Sequence, residues 1–145
     1  MKYLVTGAAG FIGMHSCASL LASGHTVIGI DSLNEYYDKN LKLARLGNLG
    51  EYNSFHFHEV NLIDRGALEN IFKAESIDIV LHLAAQAGVR YSISDPHAYS
   101  EANLTGFLNI LELCRNHCIS HLVYASSSSV YGLNSSLPFR EHDNA

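Results

Sequence analysis

Apolar runs of strand length recur along the chain: "KYLVTG", "HTVIGID", "NSFHFHEV", "IDIVLHLAA" and "HLVYASS". Several are apolar at consecutive positions, the pattern of strands buried on both faces of a parallel sheet. Between them lie stretches with helical periodicity. "FIGMHSCASLLAS" is closed by Gly24 in the position of a helix C-cap, and "DRGALENIFKAE" and "PHAYSEANLTGFLNILELCRNH" follow later. The longer polar connection after the second strand holds "EYYDKNLKLARL", which also reads as helix. The alternation of strand and helix predicts an α/β protein with a doubly wound parallel sheet of about five strands and flanking helices. Ligands of such sheets bind outside the carboxyl ends of the strands. No repeat, linker or internal boundary interrupts residues 1–145, so one domain is expected.

Composition narrows the class of ligand. The chain is 48% hydrophobic and 16% charged, the balance of a soluble globular domain. Nine Lys plus Arg against fourteen Asp plus Glu give a net charge of −5, and no basic run is present. That argues against nucleic acid or an acidic membrane as partner and for a small molecule. No stretch reaches the length of a membrane span, and Met1 leads directly into a strand-like segment, so a cytoplasmic protein is expected. Cys17, Cys114 and Cys118 read as reduced thiols.

The first strand-to-helix turn carries the strongest chemistry. "VTGAAGFIG" sets Gly7, Gly10 and Gly13 at three-residue intervals, where missing side chains let the backbone turn tightly and approach a pyrophosphate at a helix N-terminus. The spacing differs from the strict G-x-G-x-x-G pattern. Asp31, eighteen residues beyond Gly13, ends the second strand where an acid accepts hydrogen bonds from adenosine ribose hydroxyls. The competing reading is a surface turn aspartate. Strand, glycines, helix and acid in register favour a Rossmann-type dinucleotide site, and NAD over NADP because a carboxylate repels a 2′-phosphate.

"TGAAGFIG", "HLAA", "NLTGFLNILE" and "YASSSSVYG" together resemble the N-terminal part of the extended short-chain dehydrogenase/reductase family, the NAD-dependent nucleotide-sugar epimerases and dehydratases. "DSLNEYYD", "LHLAAQAGVRYS" and "PHAY" bring the resemblance nearest to the 4-epimerases of UDP-hexuronates, which serve capsular polysaccharide synthesis. The resemblance implies roles at matching positions. Phe11 and Ile12 would offer backbone N–H groups to the pyrophosphate, and Asn61 and Leu62 would flank the adenine. Asn61 departs from the aspartate usual there, although its amide oxygen can also accept. Leu83, Ala84 and Ala85 would lie against the cofactor, and Asn103 near the nicotinamide; without the resemblance, Asn103 reads as a polar group of the helix. Ser126 would face the cofactor, Ser127 would hydrogen-bond the sugar 4-hydroxyl as a catalytic residue, and Ser128 would face the substrate. On pattern alone these serines are a polar loop at a strand end. Arg90 is a candidate for a phosphate or sugar carboxylate, with an ordinary exposed loop arginine as the alternative.

The family's reaction is a transient oxidation at C4 of the sugar, with a tyrosinate as base whose pKa is held down by a lysine four residues later. The eight tyrosines are Tyr3, Tyr36, Tyr37, Tyr52, Tyr91, Tyr99, Tyr124 and Tyr131, and none has lysine at that spacing. The expectation is a chain truncated before the Tyr-x-x-x-Lys helix and the substrate lobe, inactive alone, with uncovered sheet surface that promotes self-association. Alternatives are an NAD-binding module without catalysis, or part of a related dehydratase or decarboxylase; Ser128 and Ser129 stand where a dehydratase would carry acids. Cys114, His117, Cys118 and His121 superficially resemble metal ligands but lack a second cluster, so no metal is expected. His56 and His58 alternate with Phe55 and Phe57 as one face of a strand, and no G-x-S-x-G elbow supports a hydrolase.

Overall fold

The computed structural model describes residues 1–133 and 137–143. The strands are β1 (Lys2–Thr6), β2 (Thr26–Asp31), β3 (Phe55–Glu59), β4 (Ile79–His82) and β5 (His121–Tyr124). All pair in parallel, in the order β3-β2-β1-β4-β5. The order reverses between β1 and β4, so the crevice expected at the carboxyl edge of a doubly wound sheet opens there. The five parallel strands and their doubly wound arrangement agree with the expectation from sequence.

Two cores hold the layers together. Leu4, Ile28, Ile30 and Val80 meet Leu68, Ile71 and Phe72 of α3 (Arg65–Ala74) and Ile110 and Leu113 of α6 (Phe107–Asn116) on one face. Val5 and Val27 meet Cys17 and Leu21 of α1 (Phe11–Ala22) and Leu49 of α2 (Lys39–Leu49) on the other. Full burial of such side chains contributes about 1.5–3 kcal/mol each before entropy is counted. Consecutive residues of β1 and β2 therefore serve both cores, which is why those strands carry no polar alternation.

Three local departures from the sequence pattern have identifiable causes. The helix read over "EYYDKNLKLARL" starts only at Lys39, because Asp38 accepts the Asn40 N–H and caps it. The single long helix over "PHAY…RNH" is divided into α5 (Pro96–Ser100), a π-helical stretch Glu101–Gly106, and α6. Asn103 on that stretch is tied to the loop after β4. The run "IDIVLHLAA" leaves the sheet after His82 because β1 ends at Thr6, and nothing continues the ladder beyond it. Gly24 follows α1 with φ +80°, the left-handed conformation predicted of a glycine there.

Cover is uneven. On the α1 face, Tyr3, Ile79, Leu81 and Val123 line an open apolar groove of about 560 Å³ bounded by Phe11, Ile12 and His15 of α1. Val123 and Tyr124 of β5 are 44% and 52% exposed, unlike their counterparts in β1. No helix among the described residues is long and apolar enough to cross a membrane. The short α4 (Tyr91–Ser94) and a 3-10 turn at Ser128–Tyr131 complete the elements.

Candidate functional site

The turn between β1 and α1 is built from close backbone contacts. Gly7 has φ +71°, its carbonyl accepts the Gly10 N–H at 2.9 Å, and a Cβ placed on it would stand 2.9 Å from the Ala84 nitrogen. A side chain there would push the turn away from the end of β4. A Cβ on Gly13 would collide with the Gly7 carbonyl, so α1 can start directly over the turn only with glycine at that position. Gly10 is the N-cap and no side chain caps the helix. The first-turn N–H groups at Phe11 and Ile12 are consequently available to an anion, with the helix dipole behind them.

Asp31 is buried at the end of β2 and is tied to its surroundings by three groups. Its Oδ2 accepts from the Ala9 N–H at 3.2 Å and its Oδ1 from the Leu33 N–H at 2.9 Å. Lys42 Nζ stands 3.6 Å from Oδ1 and donates to Asn34 Oδ1 at 2.7 Å. Two carboxylate oxygens offer about four acceptor positions, so the backbone bonds leave room for ribose hydroxyls.

The end of β4 is fixed by Thr6. Its hydroxyl accepts from the Leu83 and Ala84 N–H groups at 3.2 and 3.1 Å, and turns its own proton to Nδ1 of His82 at 2.8 Å. His82 is buried and stacked on Phe107, and burial lowers its pKa from 6.5 to about 4. It is therefore neutral near pH 7 and able to accept. Beyond it, the Asn103 side chain accepts from the Gln86 N–H at 2.9 Å and donates to the Gln86 carbonyl at 3.1 Å. This reciprocal pair holds the backbone after β4 as a neighbouring strand would.

These parts enclose a cleft of about 300 Å³. Of the residues singled out in the sequence, Gly7, Gly10, Phe11, Asp31, Asn61, Leu62, Leu83, Ala84 and Ala85 line it. Gly13 acts beneath the turn instead, and the Ile12 side chain lies on the apolar groove across α1. Asn103 acts on Gln86. Asn61 Oδ1 accepts from the Ile63 N–H at 3.2 Å, so its amide already has a local role. Ser126, Ser127 and Ser128 are exposed past β5 and do not line the cleft; the Ser127 hydroxyl accepts from the Ser129 N–H at 3.2 Å and donates to Ser129 Oγ at 3.1 Å. Arg90 is exposed and makes no ion pair among the described residues.

Sequence reasoning missed Lys42, Tyr36, Tyr37 and Gln86, which also line the cleft. A lysine in a polar helix ordinarily reads as solvated, and only its placement opposite Asp31 reveals it. Of the cysteine and histidine group near α6, Cys118 and His121 are exposed and the other two have structural contacts. Cys114 packs on the core with its thiol pushed up to about 11 by burial, and His117 contacts Glu69 at 3.3 Å.

A family model described as the NAD dependent epimerase/dehydratase family matches residues 3–145. The chain belongs to that family. It is 51% identical over 144 residues to Protein CapI of Staphylococcus aureus, covering 99% of this chain and 43% of that protein. It is 46% identical over 145 residues to a probable UDP-glucuronate 4-epimerase of Rhizobium meliloti, covering all of this chain and 42% of the relative. Among solved structures, the UDP-glucuronic acid 4-epimerase of Bacillus cereus in complex with UDP-glucuronic acid and NAD is 37% identical, with a TM-score of 0.84 over 94% of this chain and 43% of that one. The chain thus spans less than half the length of these epimerase-family relatives. Every glycine, acid and alanine of the cleft falls inside the matched region.

Proposed function

We propose that this chain is the NAD-binding part of a nucleotide-sugar 4-epimerase that interconverts UDP-glucuronate and UDP-galacturonate through a 4-keto intermediate. The observation that carries the cofactor reading is the cleft itself. The glycine turn, the uncapped start of α1, Asp31 and the Leu83–Ala85 backbone converge on one crevice at the sheet's switch point. Small or absent side chains leave room for a flat dinucleotide, while the first-turn N–H groups meet the pyrophosphate and Asp31 accepts from the ribose. Bound there, NAD would supply reversible hydride acceptance from the sugar.

The chain's own contribution is binding and orientation. Thr6 and Asn103 fix the wall formed by residues 83–86, and Ser127, at the carboxyl edge beyond β5, would hold the sugar hydroxyl, with Ser126 toward the cofactor and Ser128 and Arg90 toward the nucleotide sugar. None of the tyrosines carries a lysine four residues later, so the base that removes the 4-hydroxyl proton is not among these residues. Cofactor binding without turnover is the property of this chain alone. A cytoplasmic site, a part in capsular polysaccharide synthesis and self-association through the apolar groove fit the same reading. Incubation with NAD and UDP-glucuronate tests it. No UDP-galacturonate should form, and turnover by these 145 residues would overturn the assignment of the missing base.

A further inference from the structure

The selection of NAD by an acid at the end of β2 is usually an argument from charge: a carboxylate repels a 2′-phosphate. Here that charge is answered from within the protein. Lys42 is 4% exposed, lines the cleft, and places its ammonium 3.6 Å from Asp31 Oδ1. Its remaining contacts are a neutral acceptor, Asn34 Oδ1, and the face of Tyr37 at 4.9 Å. Asp31 is its only anionic partner among the described residues. One turn along α2, Arg45 donates to the Ala9 carbonyl at 3.2 Å and to the Tyr37 hydroxyl at 3.0 Å. Ala9 is the residue whose N–H binds Asp31, so a second cation stands beside the same corner with no ion pair of its own among the described residues. Glu101 also lines the cleft, but the charged groups bonded at the Ala9–Asp31 corner among the described residues are one carboxylate, Asp31, and two cations, Lys42 and Arg45.

Resting on the reading of the cleft as a dinucleotide site, we propose that Asp31 alone holds this site to NAD, and that Lys42, with Arg45 behind it, is a latent receptor for the 2′-phosphate of NADP. Asp31 excludes the phosphate by occupying Lys42 and the Ala9 and Leu33 N–H groups. With its charge removed, a buried ammonium is left facing the ribose without a counterion, and a phosphate dianion supplies one.

Calorimetric titration of the chain with NAD and NADP tests this through four proteins: wild type, Asp31→Asn, Lys42→Met and the double variant. The Ala9 and Leu33 N–H groups bond different oxygens of Asp31, so asparagine keeps an acceptor for one of them, and Asp31→Ser serves if Asp31→Asn does not fold. The wild type is expected to prefer NAD. Asp31→Asn should gain about tenfold to a hundredfold in NADP affinity, the scale of one charge-assisted hydrogen bond, and the double variant should lose that gain. Lys42→Met alone, leaving Asp31 uncompensated, should widen the preference for NAD over NADP. NAD binding by the wild type with no NADP gain in either Asp31 variant, or a gain that survives Lys42→Met, overturns the proposal and leaves the cofactor reading intact. A wild type that takes up neither nucleotide overturns the cofactor reading and this proposal with it.

Discussion

Thr6 and His82 meet across two parallel strands, the hydroxyl of one donating to Nδ1 of the other at 2.8 Å. Because the same hydroxyl receives two N–H groups from the chain leaving β4, this pair sets where the Leu83–Ala84 wall stands relative to the Gly7 turn. Its strength depends on a neutral imidazole. Burial holds the folded pKa near 4 against an ordinary 6.5, so the unfolded chain binds a proton in that interval and the folded chain does not. Stability is therefore complete above about pH 6.5 and falls as the pH drops toward 4, by about 3 kcal/mol in all. Urea unfolding across this interval should show that slope, and His82→Asn, which can still accept from Thr6, should flatten it.

The sheet was legible in the chain because burial on both faces leaves a mark in its central strands: the apolar runs of β1 and β2 have no other use. The glycine turn and Asp31 were legible for a similar reason, since each answers a local backbone demand. The serine run after β5 was legible only through family resemblance, and the structure places it outside the cleft, beyond the end of a strand with little cover. Lys42 and Gln86 were not legible at all. Their roles depend on which side of α2 meets β2, and on a side chain from the π-helical stretch reaching the loop after β4. Neither relationship leaves a periodicity in the sequence.

Gly7 admits no side chain. Its φ of +71° and the 2.9 Å approach to the Ala84 nitrogen make Gly7→Ala both strained and obstructed. The variant should lose about 1–3 kcal/mol of stability, read by denaturant midpoint, and a larger share of its NAD affinity.

Asn103 should be separable from an ordinary helix-surface amide. Asn103→Ala leaves the Gln86 N–H and carbonyl unpaired and should cost about 1–3 kcal/mol, while Asn103→Asp keeps the acceptor for the N–H and should cost less in stability. Hydrogen exchange at the Gln86 amide is the direct readout. It should accelerate in the alanine variant and stay slow in the aspartate one.

The apolar groove should govern association. Val123 and Leu81 both line it, on the sheet face covered by α1. Sedimentation should show concentration-dependent association that Val123→Ser weakens; a wild type that stays monomeric at high concentration contradicts the groove as a contact surface.

The most direct test of the account is a titration of the unmodified chain with NAD followed by heat. A saturable isotherm with one site per chain is predicted, abolished or sharply weakened in Gly7→Ala. Absence of any saturable heat from a folded wild-type chain would contradict the assignment of the Gly7–Asp31–Ala84 cleft as the cofactor site.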